Sequence, residues 1–137
     1  MTRTRVAICL ALLAGAAAGI GLDRTVLAQQ SGITRTVLQR FDDPASPKYE
    51  VVMAVADLAP GASAGRHLHH GLEVGYVLDG NVVFEHAGRP AVTKKAGEHF
   101  EHDVAAAHDA RNTGKTPAKI LAVYVVEKGK PLADPVK

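Results

Sequence analysis

The chain has 137 residues, 47% of them hydrophobic and 22% charged, with a formal net charge of +2. That length suits one domain with an ordinary core. Of the 16 basic and 14 acidic side chains, Arg3, Arg5, Arg24 and Asp23 fall in the first 28 residues. The remainder is therefore neutral, and the positive balance gives no support for nucleic-acid binding.

Residues 1–28 read as a secretory signal peptide. Arg3 and Arg5 give a positive start, an apolar run follows from Val6 to Leu22, and Val26-Leu27-Ala28 ends in a small residue before Gln29. An uncleaved N-terminal anchor is the competing reading, because 17 residues lie at the short end for a spanning helix. The expected location is the periplasm or the exterior. The only cysteine, Cys9, sits inside this run, so residues 29–137 can form no disulfide and offer no thiolate.

From Gln29 onward short apolar stretches alternate with Gly, Pro and Asp turns, which is an all-β pattern. Strands are expected at residues 33–40, 49–58, 66–70, 73–78, 82–86, 89–93, 98–102, 106–111 and 118–127, with an extended tail from Gly129. Asp79-Gly80-Asn81 between apolar runs signals a hairpin. Short strands with tight turns imply a sandwich or small barrel. The strands at 73–78 and 121–126 are apolar on both faces: Glu73, Gly75 and Val77 share one side, Val74, Tyr76 and Leu78 the other. Cover for the second side comes either from a homodimer, the favoured reading, or from the N-terminal strands of the same chain.

All seven histidines lie between positions 67 and 108. His67 and His69 are two apart on an expected strand, so their imidazoles face one point. Glu73, after a kink at Gly71, swings back toward it, and His108 closes the site from another strand. Three imidazoles and a carboxylate are a ligand set for borderline divalent metals, and they leave one or two coordination positions open. The other histidines read differently. His70 points to the opposite face and His86 sits at a hairpin end, both at the surface. His99 and His102, interleaved with Glu98 and Glu101, form a solvated polar edge, with a secondary metal contact as the alternative. Arg66 and Asp103 read as surface and turn residues, Tyr76 and Phe100 as core or interface.

At these positions the chain resembles the cupin superfamily. The motif G-x5-H-x-H-x3-E-x6-G is filled at Gly61, His67, His69, Glu73 and Gly80. The second motif, G-x5-P-x-G-x2-H-x3-N, is matched at Gly97, His108 and Asn112, but Asp103 stands in place of the proline and Ala105 in place of the glycine. The resemblance spans a motif core of residues 49–127 within a domain of residues 29–137. It implies a single-domain, all-β cupin barrel (a jelly-roll-like double-stranded β-helix) holding one metal at His67, His69, Glu73 and His108, often as a homodimer. The two departures predict a looser turn before His108, since proline fixes φ and glycine permits positive φ.

Two functions follow as expectations. One is a metalloenzyme acting on a small molecule, dioxygenase-, decarboxylase- or isomerase-like, with Fe(II) or Mn(II) ahead of Ni, Cu or Zn. Glu73 is then the best catalytic candidate, because no separate acid–base dyad stands out. The other is a non-catalytic protein binding a metal or small ligand. Neither involves nucleic acid, and a membrane enters only through an uncleaved leader.

Overall fold

The computed structural model describes residues 32–137; the expected leader and its cleavage site lie outside the described residues. Ten strands form: β1 (Ile33–Asp42), β2 (Tyr49–Leu58), β3 (His67–Leu68), β4 (Gly71–Asp79), β5 (Asn81–His86), β6 (Val92–Lys95), β7 (His99–His102), β8 (His108–Arg111), β9 (Ala118–Glu127) and β10 (Asp134–Pro135). They make two five-stranded sheets, ordered β1-β2-β9-β4-β7 and β10-β3-β8-β5-β6. All pairings are antiparallel. This is the all-β double-stranded β-helix expected of the sequence.

Period-2 burial explains the packing. On β2 every second residue is buried, Glu50, Val52, Ala54, Ala56 and Leu58, and on β9 the buried set is Ala118, Ile120, Ala122, Tyr124 and Val126. The apolar ones point between the sheets and join Val77, Val82, Phe84 and Phe100 in one core. Phe84 and Phe100 stack across it with ring centroids 4.5 Å apart. Each fully buried valine or leucine contributes roughly 1.5–3 kcal/mol relative to exposure. Asn112, buried after β8, donates to the carbonyls of Leu58 and Thr116 at 3.0 and 2.8 Å and accepts from the Gly114 amide at 2.9 Å. It thereby ties the end of β8 to the end of β2.

The hairpin at Asp79-Gly80-Asn81 forms as expected, with Gly80 at φ +72° and its amide bonded to the Asp79 carboxylate at 2.8 Å. Several boundaries differ from expectation. The strand placed at 89–93 begins at Val92 and runs to Lys95, because Pro90 has no N–H for a ladder. The strand expected at 66–70 shrinks to His67–Leu68, and that expected at 106–111 starts only at His108. The tail adds a strand, β10, beside β3.

Gly71 is no kink. It opens β4 and lies flat on β9, where an added Cβ would sit 2.0 Å from the Val125 carbonyl oxygen. The outward side of β4 stays open: Leu72, Val74, Tyr76 and Leu78 are all 40–45% exposed. β1 extends the same sheet beyond β2 and does not cover this side.

Gly71→Ala is expected to destabilise the fold by about 1–3 kcal/mol, because the clash is with backbone and cannot be relieved by a rotamer change. Chemical denaturation measures it; an unchanged midpoint would show that β4 and β9 separate easily here.

Candidate metal centre

Register builds the site. In the first sheet His102 of β7 stands opposite Glu73 of β4, and Glu73 stands opposite Tyr124 of β9. In the second sheet His67 of β3 stands opposite His108 of β8, and His108 stands opposite His86 of β5. Residues paired this way share a face with Cβ atoms roughly 4.5–5.5 Å apart. Two short polar rows, one per sheet, therefore meet across an otherwise apolar core. His69, just past β3, completes the cluster.

The four residues singled out by spacing come together. His67, His69, Glu73 and His108 are all buried, at 6%, 4%, 3% and 2% exposure. The Glu73 Oε2 atom lies 2.9 Å from His69 Nε2 and 3.3 Å from His108 Nε2. The rings of His67, His69 and His108 have centroids 4.5–5.1 Å apart. Donor atoms of His67, His69 and His108 all fall within 4.8 Å of one another, as do those of Glu73, His102 and His108.

Each of the three imidazoles is held by its other nitrogen. Nδ1 of His67 faces the Gly65 carbonyl at 2.7 Å, Nδ1 of His69 the Leu132 carbonyl at 2.5 Å, and Nδ1 of His108 the Ala106 carbonyl at 2.9 Å. A carbonyl only accepts, so Nδ1 carries the proton in each neutral ring and Nε2 is a bare lone pair. This is the arrangement of metal-ligating histidines, with the outer nitrogen fixing ring and tautomer. It leaves a carboxylate oxygen surrounded by acceptors. His69 Nε2 and Glu73 Oε2 are buried and, despite their 2.9 Å separation, neither has an aligned hydrogen-bond partner. The residues fit a cation: the donor set suits a divalent metal, and a small cavity of about 20 Å³ opens beside His67, Glu73 and His108.

Electrostatics agree with the geometry. Burial lowers His67 to about 4, and burial likewise lowers His102 to about 3, so both rings are neutral near pH 7. Burial alone would raise the Glu73 carboxyl. Where the histidines are protonated, hydrogen bonds from His108 and His69, with the charges of His69 and His102, outweigh it and hold Glu73 well below the usual carboxylate range. The Tyr124 hydroxyl, pushed far up by burial and then by the Glu73 charge, stays protonated beside the site.

The turn before His108 keeps its shape without the expected residues. Ala105 adopts φ +56°, the conformation a glycine would take freely. The strain costs on the order of 1 kcal/mol. The loosened turn predicted from Asp103 and Ala105 is not seen, and His108 reaches the cluster. Asp103 is exposed and lies 3.8 Å from Arg89.

His102 is the correction. It is 2% exposed, stacks on the His108 ring with centroids 3.7 Å apart, and places Nε2 3.8 Å from Glu73 Oε2. It is not part of a solvated edge. The missed signal is the i, i+2 relation to Phe100, which is core: on a four-residue strand both must face inward. His99 does face solvent. His86, expected at the surface, is half-buried and pairs with His102, Nε2 to Nδ1 at 2.8 Å. His70 is also half-buried, bound to Asp134 of β10 at 2.5 Å. Phe84 and His102 line both the central cavity and an outer groove of about 630 Å³ that includes His86, Arg89 and Lys94.

The metal-free protein should lose stability as the solution is acidified. His67 and His102 take protons near pH 6.5 when unfolded but only near 4 and 3 when folded. The unfolded state therefore binds more protons below pH 6.5, at a cost of roughly 1.4 kcal/mol per unit of pH for each histidine until its folded value is reached. Glu73 acts in the same direction at lower pH, its contribution being lost as pH falls toward its depressed folded value. Melting temperatures in chelator between pH 7.5 and 5 report this; a flat or rising profile would contradict the neutral, buried rings.

The cupin domain pattern matches residues 54–124, just over half of the chain. A 70-residue stretch is 40% identical to an oxalate-binding protein of Thermotoga maritima, covering 50% of this chain and 57% of that protein. The chain thus aligns with little more than half the length of that relative. The fold is similar to that of an uncharacterized protein with a double-stranded β-helix domain from Klebsiella pneumoniae, with TM-score 0.63, 23% identity, and coverage of 76% and 86% of the two chains. It is also similar to oxalate oxidase in complex with glycolate, with TM-score 0.61, 23% identity, and coverage of 79% and 57%. DMSP lyase from Ruegeria pomeroyi gives TM-score 0.62 at 19% identity, covering 76% and 51%. At such identities the structural likenesses speak for the fold alone. The motif residues, the two-sheet architecture and the matched pattern place this chain in the cupin family.

Proposed function

We propose that the protein binds one divalent metal through His67, His69, Glu73 and His108 and uses it to hold a small molecule by its oxygen atoms. The observation that carries this reading is the buried cluster of imidazole lone pairs around a carboxylate oxygen that has no aligned hydrogen-bond partner. Such a cluster needs a cation at its centre. Oxygen- and nitrogen-rich ligation of this kind suits Fe(II) or Mn(II) first, then Ni, Cu or Zn. A bound metal would supply Lewis acidity and an open coordination position. The chain supplies the rest: Nδ1 hydrogen bonds orient the imidazoles, Tyr124 presents a protonated hydroxyl, and Ala64, Phe84, Ala110 and Ile120 exclude water.

Dioxygenase-, decarboxylase- or isomerase-like chemistry fits this arrangement, with Glu73 the side chain nearest the reacting centre. A non-catalytic ligand-binding role is favoured by the resemblance to an oxalate-binding protein. In both readings the first 28 residues direct export to the periplasm or the exterior. The open face of Leu72, Val74, Tyr76 and Leu78 is then covered by a second copy of the chain.

Protein purified without chelator should contain about one metal per chain by elemental analysis, as expected of a single four-donor site. His69→Ala should lower metal affinity by about 100-fold or more while leaving the β circular dichroism in place. A chain that takes up no metal after exposure to Fe, Mn, Ni, Cu and Zn ends this reading. Protein recovered from the periplasm should begin at Gln29 and sediment as a dimer, and Val74→Glu should make it a monomer. A monomeric parent, or full-length protein kept in the cytoplasm, would refute the corresponding part.

A further inference from the structure

Arg35 sits where a core residue belongs. On β1 the inward positions are Ile33, Arg35 and Val37: Ile33 is 3% exposed, Val37 packs on the core, and Thr34 and Thr36 face solvent. An arginine between two core positions is the exception on this strand. Its register partner on β2 is Ala56, whose own partner on β9 is Ile120. The small alanine leaves room beside it for the guanidinium. Arg35 lines the same cavity as His67, Glu73, His102, His108 and Tyr124.

Among the described residues, Arg35 forms no ion pair. It also donates no side-chain hydrogen bond there. The contrast with Arg40 on the same strand is direct, since Arg40 bonds Glu50 at 2.6 Å. A guanidinium cannot shed its charge, and half-buried in an apolar wall it gains most from a planar anion that meets its fork with two oxygens.

We infer that Arg35 is the anion-recognising residue of this cavity, and that the molecule held at the metal centre is a short carboxylic acid whose carboxylate pairs with the Arg35 guanidinium. The inference rests on the metal reading above and adds the chemical class of the ligand and the residue that selects it. Two features narrow the class further. The central space is small, which favours acids of one or two carbons. Apart from the polar side chains named above the walls are apolar, Ile33, Leu58, Phe84 and Ile120 among them, so the guanidinium is the only permanent cation among the described residues that line the cavity.

The test is calorimetric titration of the metal-loaded full chain with formate, oxalate and glutarate, alongside metal content and melting temperature. Arg35→Gln should weaken oxalate binding about tenfold or more with metal content unchanged. Arg35→Lys, which keeps charge but loses the fork, should fall between the two. Glutarate should bind far more weakly than oxalate. Oxalate binding equal in Arg35→Gln and the parent would overturn the inference while leaving the metal centre standing. So would a shift in melting temperature alone, which would mark the arginine as packing. Glutarate binding as tightly as oxalate would overturn the short-acid assignment. A parent chain that holds no metal would take both readings down together, and His69→Ala serves as the control for that case.

Discussion

The structure turns on the Glu73 carboxylate at the centre of the core. Taking a carboxylate out of water costs several kcal/mol even after relaxation, and imidazoles that turn Nε2 lone pairs toward it cannot offset that cost without a proton or a metal. Three rings of the cluster, His67, His69 and His108, have already given their N–H groups to backbone carbonyls. What remains around the oxygen is a set of acceptors, which repel one another until something positive lies between them. Protons can serve at low pH. A divalent metal serves better at neutral pH, because it needs no ring to be protonated and meets all four donors at once.

The fold supplies this arrangement through register. His67 and His108 are direct partners, as are Glu73 and His102, so each sheet presents a pair whose separation is set by backbone hydrogen bonds. A slip of one residue in either pairing would send the donors to solvent and bring outward side chains into the core. Local features hold the register in place. Gly71 lets β4 lie against β9, Asn112 ties the end of β8 to β2, and the Leu132 carbonyl is brought to His69 by the tail that forms β10. The same device explains why a tail without obvious pattern is ordered: it carries an acceptor that the site uses.

The clustering of His67, His69, Glu73 and His108 and the two-sheet architecture were legible in the sequence because both follow from spacing. Alternation gives strands, and two histidines at i and i+2 give a shared face. What escaped depends on partners distant in the chain. Whether His102 faces in or out is decided by Phe100, a strand neighbour whose own burial depends on stacking with Phe84. The polar neighbours Glu98 and Glu101 gave the opposite impression, and local polarity lost to the inward pull of the aromatic. Arg35 escaped for a related reason. A charged residue among strand positions reads as surface unless its alternation with Ile33 and Val37 is followed and the small Ala56 opposite is known. The boundaries at 66–70 and 89–93 failed because ladder bonds end where Pro90 or an irregular segment interrupts them, which apolar patterning does not register.

Ala105 shows how firmly the surrounding contacts hold the turn. A residue that disfavours positive φ is placed there at φ +56°, with its amide bonded to the His69 carbonyl at 3.2 Å and the following amide of Ala106 to the Asp103 carbonyl at 3.1 Å. Backbone strain of on the order of 1 kcal/mol persists only where the neighbours over-determine the conformation. Here the neighbours belong to the site: the Ala105 amide is bonded to the backbone of one donor, and the Ala106 carbonyl accepts from the imidazole of another. The turn, the two histidines and the carboxylate they face are thus one hydrogen-bonded unit. A cation at its centre would offset the strain of the turn together with the burial of the charge.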